Sequence, residues 1–126
     1  YIEGMTTRLL AIRGATTVES NSEEAMTSRV QEMLLTILER NGVVHDDVVS
    51  ALFTATPDLN AAFPATAARG VGFGDIPLIC ASEIAVPNAT PLCVRVMLHV
   101  YSERPRSAIR HVYLHGAQGL RDDLPT

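Results

Sequence analysis

The chain has 126 residues, 47% hydrophobic and 19% charged, a composition that folds rather than stays disordered and suits one domain spanning 1–126. Its net charge of −4 argues against a nucleic-acid partner, and with no apolar run of ~18 residues no membrane span is expected. All ten basic residues are arginines, so a lysine Schiff base, a pyridoxal phosphate anchor and a P-loop lysine are excluded.

Tyr1 to Arg8 carries Glu3 and no apolar stretch of signal-peptide length, so a cytoplasmic protein is expected. Met5 reads as the natural start, with residues 1–4 a remnant of expression. Leu9 to Arg13 reads as a first strand ended by Gly14, with Leu9, Ala11 and Arg13 on one face. Ser20-Asn21-Ser22-Glu23 has the Ser-x-x-Glu form of a capping box. Met26, Val30, Met33, Leu34 and Ile37 then recur at helical spacing up to Arg40, and Asn41-Gly42 closes the helix. Asp47 to Ala55 reads as a strand buried on both faces. Strand, helix and strand in this order predict a right-handed parallel βαβ unit.

A short alanine-rich helix is expected from Pro57-Asp58 to about Arg69, capped by Asp58 and bent or restarted at Pro64. Gly70, Gly72 and Gly74 mark a loop. Ile76 to Cys80 is a third strand, with Glu83 just beyond it. Leu92 to Tyr101 alternates strictly, with Leu92, Val94, Val96, Leu98 and Val100 on one face and Cys93, Arg95, Met97, His99 and Tyr101 on the other. Ile109 to Leu114 is the last strand, with Ile109, His111 and Tyr113 sharing a face. From Gly116 the pattern is weak, and a tail over 116–126 is expected to be mobile without ligand. The fold class is therefore α/β (α+β), a mixed sheet of about five strands with two helices.

An all-arginine set of cations supplies planar, permanently charged forks that suit carboxylates or phosphates. Arg95 is the most informative of them, sitting mid-strand between Cys93 and Met97 on its own face. A guanidinium there must be paired, either structurally with Glu83 or by a ligand, and the pattern leaves both open. Arg13 ends its strand, a common ligand position in open α/β sheets, although a solvated surface role fits equally. Arg69 could interact with a helix dipole, Tyr113 could be a core ring, and Phe63 reads as core. Cys80 and Cys93 form no CxxC pair and read as free thiols in a reducing compartment. His45, His99, His111 and His115 offer no metal-ligand spacing, so neither metal nor cofactor is expected.

Several blocks occur in one order between about Leu10 and Arg121: Ile12-Arg13-Gly14-Ala15-Thr16-Thr17, Ala55-Thr56-Pro57-Asp58-Leu59 with Phe63-Pro64-Ala65, Cys80-Ala81-Ser82-Glu83, Cys93-Val94-Arg95-Val96-Met97, and Arg110-His111-Val112-Tyr113-Leu114. Together they resemble the AroH-class chorismate mutases, the trimeric α/β type. The resemblance implies a pseudo-α/β-barrel homotrimer with sites between subunits, rearranging chorismate to prephenate in phenylalanine and tyrosine biosynthesis. It implies that Arg95 binds the ether oxygen of the breaking bond and a carboxylate. Arg13 and Tyr113 would hold the enolpyruvyl carboxylate, and Glu83, with the backbone near Cys80, the ring hydroxyl. Phe63, Ala65 and Leu120 would supply apolar contacts, with Arg69 and Arg121 near the entrance and closing tail. Thr66 stands where the family usually has a lysine, which shifts substrate capture toward Arg69 and Arg121.

The chemistry agrees with the residues. A unimolecular rearrangement needs no nucleophile, proton transfer or metal; it needs the side chain held over the ring and charge stabilised on the ether oxygen. Two other readings remain: a RidA-type enamine or imine deaminase, which also uses an arginine for a carboxylate, and a non-catalytic trimeric module binding aromatic acids. The small core favours burial between subunits in all three.

Overall fold

Residues 6–120 are described by the structure, a computed structural model. β1 spans Arg8–Thr17, α1 Glu23–Asn41, β2 Val48–Ala55, α2 Pro64–Ala68, β3 Leu78–Ser82, β4 Cys93–Ser102 and β5 Val112–Leu114. The strands form one five-stranded sheet in the order β3-β2-β4-β1-β5. β4 runs antiparallel to both β1 and β2, while β3 is parallel to β2 and β5 parallel to β1.

The mixed sheet with two helices is the expected class, but the βαβ unit is split. β1 and β2 are parallel to one another, yet β4 lies between them. A reading of neighbouring segments cannot see this, because the inserted strand arrives almost forty residues later in the chain. The alternation of β4 explains its central place. Val94, Val96, Leu98 and Val100 meet Met26, Val30, Met33, Leu34 and Ile37 of α1 in one buried core.

β1 does not stop at Gly14; it continues to Thr17. A Cβ at Gly14 would lie 2.7 Å from Ile37 Cδ1, 3.1 Å from Val96 Cγ1 and 3.3 Å from Met33 Cγ. The glycine is there so that α1 can approach the sheet, not to end the strand.

The cap of α1 is Ser22 rather than Ser20. Ser22 Oγ accepts from Ala25 N at 3.2 Å, and Ser20 Oγ bonds only to Ser22 Oγ, so the capping box does not form. Gly42 closes the helix in the left-handed region at φ 60°, as expected. Asp58 caps no helix. The segment from Pro57 to Phe63 is irregular, and Pro64 opens α2 as its first residue, where its missing N–H does no harm. Among the described residues, no helix is long and apolar enough to cross a membrane.

β2 buries one face well, through Ala51 and Phe53, while Leu52 is exposed on the other. This corrects the expectation of a strand buried on both sides, which followed from composition alone. β5 is shorter than expected. Ile109 and Val112 join the core shared with α1, whereas Tyr113 packs on the opposite face with Ala15, Cys93 and Ala117. Ile109 and Tyr113 therefore do not share a face, because the strand begins only after the turn at Arg106–Ala108. At the end of β5, Gly116 N donates to Thr17 Oγ1 at 2.9 Å and His115 Nε2 lies 2.7 Å from Glu32 Oε1. The expected remnant at 1–4 and the end of the tail, 121–126, lie outside the described residues.

Candidate active site

Residues directly opposite one another on paired strands project to the same side of a sheet. Ala81 lies beside Thr54, Thr54 beside Arg95, Arg95 beside Ala15, and Ala15 beside Tyr113. One row thus crosses all five strands on the face away from α1. Its two large side chains, Arg95 and Tyr113, are separated by the small Ala15.

Arg95 and Glu83 form an ion pair, with Nε to Oε1 at 3.0 Å and side chains 31% and 22% exposed. Thr54 Oγ1 donates to the same Glu83 oxygen at 2.5 Å. The Arg95 N–H does not point at that oxygen, so the charges attract without a hydrogen bond. Among the described residues, two buried side-chain polar atoms lack a hydrogen bond, and they are Arg95 Nε and Tyr113 Oη. Such atoms are uncommon, and each raises the question of what it serves. Burial pushes the Cys93 thiol up from its ordinary pKa, and the neighbouring Arg95 charge opposes the shift.

Arg13 projects to the same side as Ala15, two residues along β1. Its side chain lines a cavity of about 420 Å³ with Leu9, Met97, His99, Arg106 and His111, and its backbone N donates to His111 Nδ1 at 2.9 Å. Leu120 packs against the small cluster of Ala15, Cys93, Tyr113 and Ala117. Arg13, Glu83, Arg95, Tyr113 and Leu120 are thereby brought to one face.

The other expected residues lie elsewhere. Phe63 is 72% exposed, not core. It stands on a groove of about 610 Å³ lined also by Thr56, Leu59, Asn60, Cys80 and Ala81. Cys80 sits opposite Phe53 and packs against the core on the α1 side while also lining the groove. Ala65 is buried in α2, with Thr66 and Arg69 exposed near it. Arg121 lies outside the described residues. Sequence reasoning missed Thr54 and Ala15: a threonine in an apolar strand and an alanine after a glycine carry no signal until the strand pairing is known.

Residues 9–124 match the family described as chorismate mutase type I. The chain belongs to that family. Two relatives, each named chorismate mutase AroH, match across 114 residues. The one from Thermus thermophilus is 43% identical, covering 90% of this chain and 93% of its own length. The one from Bacillus subtilis is 44% identical, covering 90% of both chains. A solved chorismate mutase structure from Clostridium thermocellum superposes with a TM-score of 0.85 at 46% identity, covering 86% of this chain and 97% of that one. Membership in the chorismate mutase family over nearly the whole chain leaves the deaminase and the non-catalytic module without support.

Proposed function

We infer that this protein is a chorismate mutase that rearranges chorismate to prephenate in aromatic amino acid biosynthesis. The observation that carries the reading is the pair of buried, unsatisfied polar atoms, Arg95 Nε and Tyr113 Oη, facing the same side of one sheet row. Both are donors, and a substrate with two carboxylates and an ether oxygen supplies acceptors for both.

In the rearrangement the ether C–O bond breaks and a C–C bond forms within one molecule, with no proton or electron exchanged with the protein. Bond breaking runs ahead of bond making, so negative charge gathers on the ether oxygen. Arg95 donates to that oxygen and to a carboxylate, and its fixed cation stabilises the charge where it develops. Glu83 orients the guanidinium and accepts from the ring hydroxyl. Arg13 and Tyr113 grip the enolpyruvyl carboxylate, which holds the reacting carbons together before reaction. Phe63, Ala65, Leu120 and the backbone at Cys80 supply contact, and Arg69 and Arg121 draw in the dianion.

The working form is a homotrimer in the cytoplasm. Leu9, Leu52 and Tyr101 leave apolar surface exposed on the sheet face away from α1, as does Ile79 at 64%. Such a face favours burial against another copy. Phe63 stands exposed on its groove rather than packed in the core, and in the proposed trimer a neighbour's Phe63 completes the site. Following the loss of chorismate absorbance with purified protein tests the activity. Catalysed formation of prephenate is expected, and its absence at high protein concentration would refute the reading.

A further inference from the structure

The entry to β4 is held by side chains that take no part in the proposed chemistry. Thr56 is buried; its Oγ1 accepts from Cys93 N at 3.0 Å and donates to Asp58 Oδ1 at 2.5 Å. Asp58 Oδ2 accepts from Leu92 N at 2.9 Å. On the carbonyl side, Val18 N donates to Leu92 O at 2.8 Å and Thr56 N to Cys93 O at 3.0 Å. Both peptide groups are therefore gripped from two directions.

The grip has something to hold. Leu92 has φ 48°, in the left-handed region that a residue with a Cβ disfavours. Released, its backbone would relax toward an ordinary conformation and rotate the start of β4. Cys93 follows directly, fully buried, and Arg95 comes two residues later on the same face. No flexible linker lies between them. The Thr56 hydroxyl beside Asp58, and the Leu92 N–H, hold its carboxyl below the ordinary aspartate pKa, as suits a group accepting at both oxygens. The other end of the clamp is equally fixed, since Asn21 Oδ1 accepts from Asn60 N and Ala61 N at 3.0 Å each.

We propose that Asp58 is a positioning residue that keeps Arg95 in place by clamping Leu92 and, through Thr56, Cys93 at the entry to β4. Its bearing on catalysis rests on Arg95 acting on substrate, and the test separates the two. In Asp58→Ala, kcat is expected to fall roughly tenfold or more with a smaller change in KM, as for an interaction that matters in the transition state. The Nε–Hε resonance of 15N-labelled Arg95 should shift in the same protein. Asp58→Asn should restore most of both, because its amide oxygen accepts from Leu92 N and its NH₂ donates to Thr56 Oγ1. Thr56→Val, similar in shape, breaks the same clamp and should move both readouts in the same direction if Asp58→Ala does not fold.

An unmoved Arg95 resonance in either clamp variant would overturn the proposal, whatever happens to kcat. A shifted resonance with normal kcat supports the clamp and sinks instead the assignment of Arg95 to the reaction. A merely structural role would lower Tm and leave Arg95 where it was.

Discussion

Arg95 is the side chain on which the proposed chemistry turns. Lysine in its place keeps the charge but offers a point donor on a mobile stem, which cannot hold an ether oxygen and a carboxylate together. Arg95→Lys is expected to lower kcat about 10²-fold or more while the protein stays folded. A folded variant with near-normal kcat removes Arg95 from the mechanism. The special standing of Arg95 was legible in the sequence because its neighbours on the strand face are apolar. Its pairing with Glu83 was legible only as one option, since no pattern within β4 reports which distant carboxylate reaches it. The exposure of Phe63 was not legible. An aromatic between alanine and proline looks the same whether it fills a core or rims a groove.

His45 is a residue-scale switch of another kind. Its Nε2 lies 2.7 Å from Asp75 Oδ1, and this hydrogen bond, then the one to Asp46, raises its pKa above the ordinary histidine value. A raised folded pKa stabilises the protein fully below the unfolded value of about 6.5, and the contribution disappears as pH rises through the folded pKa. The difference in Tm between wild type and His45→Gln should therefore be largest near pH ~6 and shrink toward pH ~9. A difference independent of pH would show that the contact does not depend on the histidine charge.

At the scale of elements, the contact of α1 with β1 depends on a missing side chain. Gly14→Ala forces Ile37, Val96 and Met33 to shift together, and overpacking of this kind typically costs about 1–3 kcal/mol. A lower denaturation midpoint with an unchanged m-value is the expected result; equal or greater stability would show that the three side chains give way freely. Helix α1 and strand β4 were legible because each displays its own period along one stretch. The βαβ unit was half legible: the parallel direction of β1 and β2 followed from the helix between them, but the place of β4 depends on pairing across the chain. The capping-box pattern placed the cap at Ser20, two residues before Ser22, which takes it, because a pattern of residue types does not report the backbone dihedrals that start the helix. Asp58 was assigned to a helix for its residue type, whereas its partners are Thr56, two residues back, and Leu92, which returns from thirty-four residues further on.

At the scale of the whole molecule, the net charge of −4 and the exposed apolar sheet face belong together. In the proposed trimer, charge would keep the assembled protein soluble and association would cover the face. Sedimentation should give a trimer, and a stable monomer with full activity would refute the shared site. Length and composition raised the expectation of association but offered no candidate surface, because the exposed Leu9, Leu52, Ile79 and Tyr101 come from four strands that the sequence alone does not place side by side.

The exposure of Phe63, with the proposed site drawing Arg95 from one subunit and Phe63 from its neighbour, carries a genetic consequence. A defect in one half and a defect in the other need not lie in the same functional unit. Refolding an inactive Arg95→Lys chain together with an inactive Phe63→Asp chain in equal amounts should make mixed trimers. Random assortment then leaves roughly one junction in four with both halves intact. Two dead alleles would complement each other in the test tube to about a quarter of normal activity, whereas halves drawn from a single chain would give none.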